Sequence, residues 1–504
     1  MHRRWVMERF NIGAELIERN LREGRGRSPA IWAAGNTLTY GELSALVDRV
    51  GAAFLKAGVK PEQRVLMVMP DSPELAACYL AAMKIGAVAV PCNPLLRTAD
   101  YAYFLEESRA ALVVTAAALR EKLPRHDKPM LVTGVDFEKA LAEVPEQKLE
   151  AAPTSKDEAA FWLWTSGSTG KPKAAVHAHQ DWPHCCELYG QGILNLQPKD
   201  RCYSASKLFH AYGLGNALAF PFWVGASTIL SPDRPTPDVV YKAIADGRPT
   251  IFFGVPTLYA AMLQAKGDPE VESLRVCVSA GEPLPGDLFS RWKSRFGTEI
   301  LDGIGSTEVL HIYVSPRMGA AKPGSTGLPV DGYQVRIVDE LGNDVREGET
   351  GDLVVRGAST ALFYWNRKDQ SRQKMRGEWF FSGDKFRQTE DGEFHYVGRS
   401  DDMFKTAGEW ISPADVESAL ISHGAVLECA VVAKKSEDGL LRPRAHVVLV
   451  QGKQGSPELA EELKQHVRGK CAGYMVPRDI VFATELPKTA TGKIQRFLLR
   501  DADV

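Results

Sequence analysis

The chain has 504 residues, 44% of them hydrophobic and 25% charged; this excludes wholesale disorder and gives core enough for about two to four compact units. Lys plus Arg is 61 and Asp plus Glu is 63, a formal charge of −2 with no polybasic run, so nothing electrostatic favours nucleic acid or an anionic membrane as partner. The 8 cysteines are scattered, with no C-x-x-C, so neither a disulfide framework nor a zinc knuckle is supported and a reduced, cytoplasmic setting is expected.

The basic N-terminus lacks the apolar run of a secretory signal. The longest apolar stretches, 75–91 and 209–226, are broken by Lys84 and by His210, Asn216 and Pro221, and read as buried core rather than bilayer spans. Leu43, Leu46, Val47, Val50 and Phe54 recur at helical spacing, with Gly58 where a C-terminal cap belongs. An apolar run at 64–70 ends in Pro70; a helix over 71–86 follows, opened by Asp71-Ser72 and stopped by Gly86; 87–93 is a second buried strand. Strand, helix, strand at this spacing is a βαβ unit, and continuous apolar strands imply a parallel sheet covered on both faces. Segments 110–116, 129–134, 227–230 and 250–256 read the same way.

Near residue 330 the pattern changes. Segments 335–344 and 350–357 read as strands with Gly342-Asn343 turn chemistry, and 378–399 carries an Asp391-Gly392 hairpin signal. After 398–402 the chain restarts: Ser412 caps a helix whose first residue is Pro413, 429–435 and 445–451 are strands, and 457–470 is a helix. The predicted fold is α/β. A large N-terminal domain of parallel βαβ-type sheets plus an antiparallel β section covers 1–400, and a small α+β domain covers 401–504.

The strongest local signal is at 161–173. An apolar strand runs into Thr165, Ser166, Gly167, Ser168, Thr169, Gly170, Lys171, Pro172 and Lys173. The glycines let backbone N–H groups approach an anion, the hydroxyls donate, and the lysines bring charge. The composition suits a polyphosphate cradle, and equally a surface Ser/Gly hairpin. It is not a Walker loop, which would need Gly at 165 and Ser or Thr at 172. Pro172 also argues against a helix opening on the loop. The segments 213–218 and 303–308 each lack the last glycine of G-x-G-x-x-G. His177, His179, His184 and Cys185-Cys186 lack metal-ligand spacing.

Five motifs together resemble one family. TSGSTGKPK (165–173), DGIGSTE (302–308), SGD (382–384), GRSDD (398–402) and PKTATGKIQR (487–496) have the order and spacing of the acyl-adenylate-forming enzymes. These comprise acyl-CoA synthetases, adenylation domains of peptide synthetases, and luciferases. Segments 207–218 and 302–313 look most like the benzoate–CoA ligase branch.

The resemblance implies ATP, Mg²⁺ and coenzyme A acting on a small aromatic carboxylic acid. The 165–173 loop would hold the β- and γ-phosphates, Thr307 the α-phosphate, and Glu308 the Mg²⁺. Gly281, Glu282 and Pro283 would wall the adenine, with Asp302, Gly303 and Ile304, the last aliphatic where the family is often aromatic. Asp384 and Arg399, fifteen residues apart, would take the ribose hydroxyls. Lys493 would stabilise charge during adenylation only. Asp401 would be the hinge of a mobile C-terminal domain, whose Gly408 would meet the CoA thiol. Ala211, Tyr212, Gly305, His311 and Ile312 would form the acid pocket, His311 and the Tyr212 hydroxyl being the polar groups open to a ring substituent. His210 would gate it. The resemblance also implies a monomer or homodimer. An aliphatic or alicyclic acyl-CoA synthetase, a stand-alone adenylation enzyme loading a carrier protein, and an inactive nucleotide-binding regulator are the alternatives.

Overall fold

The computed structural model describes residues 8–165, 171–265, 267, 269–406, 409–436, 441–488 and 494–500. Two large sheets organise the first 330 residues. A 7-stranded sheet has the spatial order Phe363–Tyr364, Lys173–Ala178, Ala159–Thr165, Val88–Cys92, Arg64–Val68, Leu112–Ala116, Met130–Thr133. Its last five strands are parallel, and Lys173–Ala178 turns back antiparallel on Ala159–Thr165. A 9-stranded sheet has Ile300–Gly305, Val276–Ala280, Ile251–Gly254, Arg201–Ser204, Ser227–Ile229 and Pro29–Ala33 as consecutive parallel neighbours, flanked by antiparallel edge strands.

The unbroken apolar strands are buried on both faces, as expected of parallel sheets. Val65 and Met67 of one strand, with Ile251 and Phe253 of another, enter a common core between the sheets. Leu66 and Val68 face a second core, and Phe252 and Cys277 a third. The helix predicted over 71–86 is Pro73–Lys84, capped by the Ser72 side chain, which accepts from the Leu75 N–H. The strand predicted over 250–256 stops at Gly254, because Pro256 opens the helix Pro256–Gln264. Both apolar stretches lie in the core, where Lys84 is held by Asp48 at 2.7 Å and Glu18 at 2.9 Å. No helix among the described residues is long and apolar enough to cross a membrane.

The stretch 209–226 forms the helices Ala211–Leu214 and Phe220–Val224 joined by a π-helical turn, Gly215–Ala219. Pro221 has no N–H to continue the α ladder, and the ladder widens just before it. A second π-helical turn, Cys186–Gln191, lies in the helix after the phosphate-loop hairpin.

The antiparallel section is a 5-stranded sheet that ends in the hairpin Trp379–Gln388/Phe394–Arg399, turning at Asp391-Gly392. Beyond it, Val426–Lys435, Leu441–Leu449 and Asp479–Ala483 form a 3-stranded sheet. Its own core is built from Val416, Leu420, Val431, Val447 and Leu463. The chain at 401–402 is tied to the terminal helix Arg496–Arg500: Arg500 donates to the Asp401 carbonyl at 3.0 Å and pairs with Asp402 at 2.6 Å.

Candidate active site

The candidate site gathers where Ala159–Thr165 of one sheet and Ile300–Gly305 of the other end, at the carboxyl edges where α/β sheets bind ligands. Thr165 pairs with Lys173 where the strands Ala159–Thr165 and Lys173–Ala178 run antiparallel. Lys173 opens a strand, as Pro172 suggested. Ser166, Gly167, Ser168, Thr169 and Gly170 lie outside the described residues. The downstream rim is anchored: the Tyr103 hydroxyl donates to the Pro172 carbonyl at 2.6 Å, and the Lys171 ammonium stands 5.5 Å from the Tyr103 ring centre.

Glu308 sits in the short turn Thr307–Val309, its carboxylate buried. The Tyr364 hydroxyl donates to Glu308 Oε1 at 2.7 Å. The Lys173 ammonium lies 4.0 Å from the same oxygen and 3.7 Å from the centre of the Tyr364 ring. Burial holds the Lys173 pKa below the ordinary lysine range; Glu308 opposes this, and the Lys374 and Arg399 charges add to it. Among the described residues Glu308 Oε2 has no hydrogen-bond partner. One oriented carboxylate oxygen fits a Mg²⁺ whose other ligands are phosphate oxygens and water, the usual arrangement for this cation.

Thr307 is positioned from behind. Its carbonyl accepts from His177 Nε2 at 2.8 Å, and His177 Nδ1 shares a proton with Asp181 Oδ2 at 2.8 Å. The His177 ring stacks on Phe161 with centroids 5.2 Å apart. Burial pushes the Asp181 carboxyl up, against the His177 charge. His179 instead accepts from the Ile12 N–H at 3.2 Å, so these histidines brace the fold.

Asp384 and Arg399 are cross-strand partners, which explains their fifteen-residue spacing. Arg399 donates to Asp384 Oδ1 at 3.0 Å, leaving Oδ2 without a partner among the described residues. The Asp384 N–H is fixed by Ser382 Oγ at 3.0 Å. Gly281 takes φ +93°, a left-handed turn open to glycine, and starts the exposed wall that continues through Glu282 and Pro283. Asp302 supports that wall from below, since its Oδ2 accepts from the Leu284 N–H at 3.3 Å. Its Oδ1 is buried without a partner among the described residues, and burial pushes its pKa up to about 7.

The acid-pocket residues come together. Gly305 is the register partner of Ile312, and a Cβ on Gly305 would stand 2.6 Å from the His311 carbonyl oxygen. A Cβ on Gly303 would be 2.7 Å from the Ile312 side chain. Tyr212 and His311 have ring centres 5.7 Å apart, and Ala211 opens the Tyr212 helix. The Tyr212 hydroxyl donates to the Val278 carbonyl at 3.1 Å, so it is engaged by backbone and not open to a ring substituent as expected. His311 Nε2 meets Asn216 Oδ1 at 3.1 Å, and Nδ1 is buried without a partner among the described residues. Burial lowers the His311 pKa to about 3, so the ring is neutral. His210 stands at the N-terminus of the Tyr212 helix, against Phe209. Asp401 is exposed, well along the chain from the slot. Lys493 and Gly408 lie outside the described residues.

Comparison with known proteins shows the family to which the chain belongs. The AMP-binding enzyme family matches residues 17–365, and the AMP-binding enzyme C-terminal domain matches 415–493. The chain belongs to the AMP-binding enzyme family. A benzoate–CoA ligase of Thauera aromatica is 44% identical over 99% of this chain and 97% of its own. A 4-hydroxybenzoate–CoA/benzoate–CoA ligase of Rhodopseudomonas palustris is 39% identical over 98% of this chain and 94% of its own. Among solved structures, a benzoate CoA ligase from Burkholderia xenovorans LB400 has a TM-score of 0.92 at 44% identity, covering 98% of this chain and 100% of the other. An anthranilate CoA ligase in complex with anthranoyl-AMP has a TM-score of 0.93 at 38% identity, covering 97% and 96%. The expected acyl-adenylate-forming fold and acid–thiol ligase class are borne out.

Sequence reasoning missed Tyr364, Tyr103 and the His177–Asp181 pair. Only His177 carried a signal, a histidine four residues before a buried aspartate just after the loop. Two outcomes are expected. Tyr364→Phe, which frees the Glu308 carboxylate to turn, should raise the Mg²⁺ concentration for half-maximal rate about 10-fold, as loss of an outer partner typically does; an unchanged Mg²⁺ titration would count against it. Asp302 is raised from 3.8 to about 7 on folding, so its contribution to stability is present below pH 3.8 and lost as pH rises to about 7. Asp302→Asn should therefore gain stability relative to wild type across that range in chemical denaturation, and a pH-independent difference would refute the assignment.

Proposed function

We propose that the protein is an ATP-dependent aryl-CoA ligase acting on benzoate or a monosubstituted benzoate. The acid carboxylate attacks the α-phosphorus of ATP, the bond to the bridging oxygen breaks, and pyrophosphate leaves with the electron pair. The CoA thiol then attacks the acyl carbon, and AMP departs. Glu308 would hold a Mg²⁺, which would supply charge neutralisation at the phosphates. The observation that carries the reading is the aromatic cluster a few residues from Thr307 and Glu308: Gly303 and Gly305 let Ile312 and the His311 backbone pack closely against their strand, and His311 stands neutral between the Tyr189, Tyr212 and Phe220 rings.

In this reading the 165–173 loop, Lys171 and Lys173 face the β- and γ-phosphates. Thr307 contacts the α-phosphate, and Asp384 and Arg399 receive the ribose hydroxyls. Gly281, Glu282, Pro283, Gly303 and Ile304 bound the adenine, while Asp302 acts through Leu284. Lys493 stabilises charge on the carboxylate and α-phosphate in adenylation, and His210 gates the slot. The domain 401–504 turns about Asp401 to bring Gly408 to the thiol. Arg500 grips Asp401 and Asp402 from the C-terminal helix, so a turn at 401 would carry that helix with it. A cytoplasmic monomer or homodimer, with neither nucleic acid nor membrane as partner, completes the reading.

The direct test is a panel of carboxylic acids scored for CoA-dependent AMP release. Benzoate or a monosubstituted benzoate should give the highest kcat/KM, and Tyr212→Ala should raise KM for the aromatic acid more than for ATP. Octanoate or acetate outperforming every benzoate would overturn the pocket assignment. Separately, Lys493→Ala should slow adenylation by ~10²–10³-fold while sparing thioester formation from supplied acyl-AMP, because its charge is needed in the first transition state only. Equal loss in both half-reactions would remove Lys493 from that role.

A further inference from the structure

Lys374 is an unassigned cation at the candidate nucleotide site. It ends the short helix Lys368–Lys374, eleven positions after the strand Phe363–Tyr364 begins. That segment touches the site three times. Tyr364 holds Glu308. Arg367 donates to the Tyr103 hydroxyl at 3.1 Å, behind the phosphate-loop rim. Lys374 Nζ comes within 2.9 Å of where a Cβ on Gly383 would stand, and Arg399 Nη2 within 3.4 Å of the same point. Gly383, at φ +81°, precedes Asp384.

The Lys374 side chain is half-buried and has no ion-pair or hydrogen-bond partner among the described residues. Its charge is close enough to Lys173 to be felt there, alongside that of Arg399. Three cations, Lys173, Lys374 and Arg399, thus lie near one another beside Gly383 and Glu308. The Glu308 and Asp384 carboxylates each already have a cationic neighbour, Lys173 at 4.0 Å and Arg399 at 3.0 Å, so Lys374 is surplus to the protein's own pairing. A half-buried ammonium with no counter-charge among the described residues is free to make charge-assisted hydrogen bonds to an anion.

We infer that Lys374 is a phosphate-contact residue that binds the β/γ-phosphates of ATP and the pyrophosphate that leaves. This rests on the nucleotide-site reading above. When the bond from the α-phosphorus to the bridging oxygen breaks, the electron pair stays on pyrophosphate, and the Lys374 ammonium meets that growing charge. AMP lacks these phosphates and gains nothing from it.

The test is equilibrium binding of Mg-ATP, pyrophosphate and AMP to the full-length protein and to Lys374→Met and Lys374→Arg. Lys374→Met should weaken ATP and pyrophosphate by roughly 10-fold to 100-fold, the range for a hydrogen bond to a charged group, and AMP by less than about 2-fold. Lys374→Arg should recover most of the loss, and intact AMP binding shows that the variant is folded. Equal weakening of AMP and ATP would overturn the inference, making Lys374 a support for the Asp384–Arg399 pair. Unchanged ATP and pyrophosphate binding would overturn it as well. If the wild type binds ATP but no benzoate supports ATP–pyrophosphate exchange, the aryl-ligase reading fails while the binding contrast still decides the case of Lys374.

Discussion

A buried carboxylate has to be paired, and the pairing of Glu308 draws the nucleotide site together. Its Oε1 takes a hydrogen bond from Tyr364 and faces the Lys173 ammonium, which itself rests on the Tyr364 ring. Those residues come from three separate places. Lys173 begins the strand after the phosphate-loop hairpin, Glu308 follows the last parallel strand of the other sheet, and Tyr364 belongs to an edge strand added from far along the chain. Leaving Glu308 unpaired would cost several kcal/mol. The cluster therefore fixes the two sheets relative to each other at the point where a polyphosphate would lie.

The same turn carries a backbone strain that separates two tasks. Leu310 has φ 75°, an uncommon angle for a branched side chain, and it is fully buried. Such a residue costs of order 1–3 kcal/mol and persists only where its surroundings dictate it. Here they do: the Ala361 N–H donates to the Glu308 carbonyl at 2.7 Å, and Ser359 Oγ to the Val309 carbonyl at 2.8 Å. The reversal at Leu310 leaves Glu308 facing Tyr364 and Lys173 and returns Ile312 antiparallel to Gly305. Thr307 and Ile312, five positions apart in sequence, thus face different surroundings, as the proposed nucleotide and acid roles require.

Much of this was legible in the sequence, for identifiable reasons. Unbroken apolar strands are buried on both faces, so 64–70 and 87–93 point to a parallel sheet. The spacing of Asp384 and Arg399 is the length of a hairpin that turns at Asp391-Gly392, and a register is readable when its turn residues are. What could not be read is whatever depends on packing between distant segments. Tyr364 and Tyr103 lie in stretches without any motif, and their value comes from what reaches them in space. The Tyr212 hydroxyl looked open because sequence does not show that the Val278 carbonyl lies above it. The two π-helical turns, which place Tyr189 and Asn216 around His311, leave no periodic trace.

The neutrality of His311 ties slot and fold together. Its ring is packed edge-on against Gly215, where a Cβ would stand 2.6 Å from His311 Cδ2, and lies among Tyr189, Tyr212 and Phe220. In that setting a charged imidazolium would be desolvated without a counter-ion, which is why its pKa falls to about 3. Under the proposed function, a cation there would also attract the acid's carboxylate away from the end at which Thr307 and Glu308 stand. Keeping His311 neutral leaves the positive charges of the site where Lys173, Lys374 and Arg399 stand, on the nucleotide side. In the proposed function, an aromatic acid lying against this cluster would meet uncharged walls around its ring, and its carboxylate would be drawn to the cations beside Glu308, so its orientation would follow from the distribution of charge.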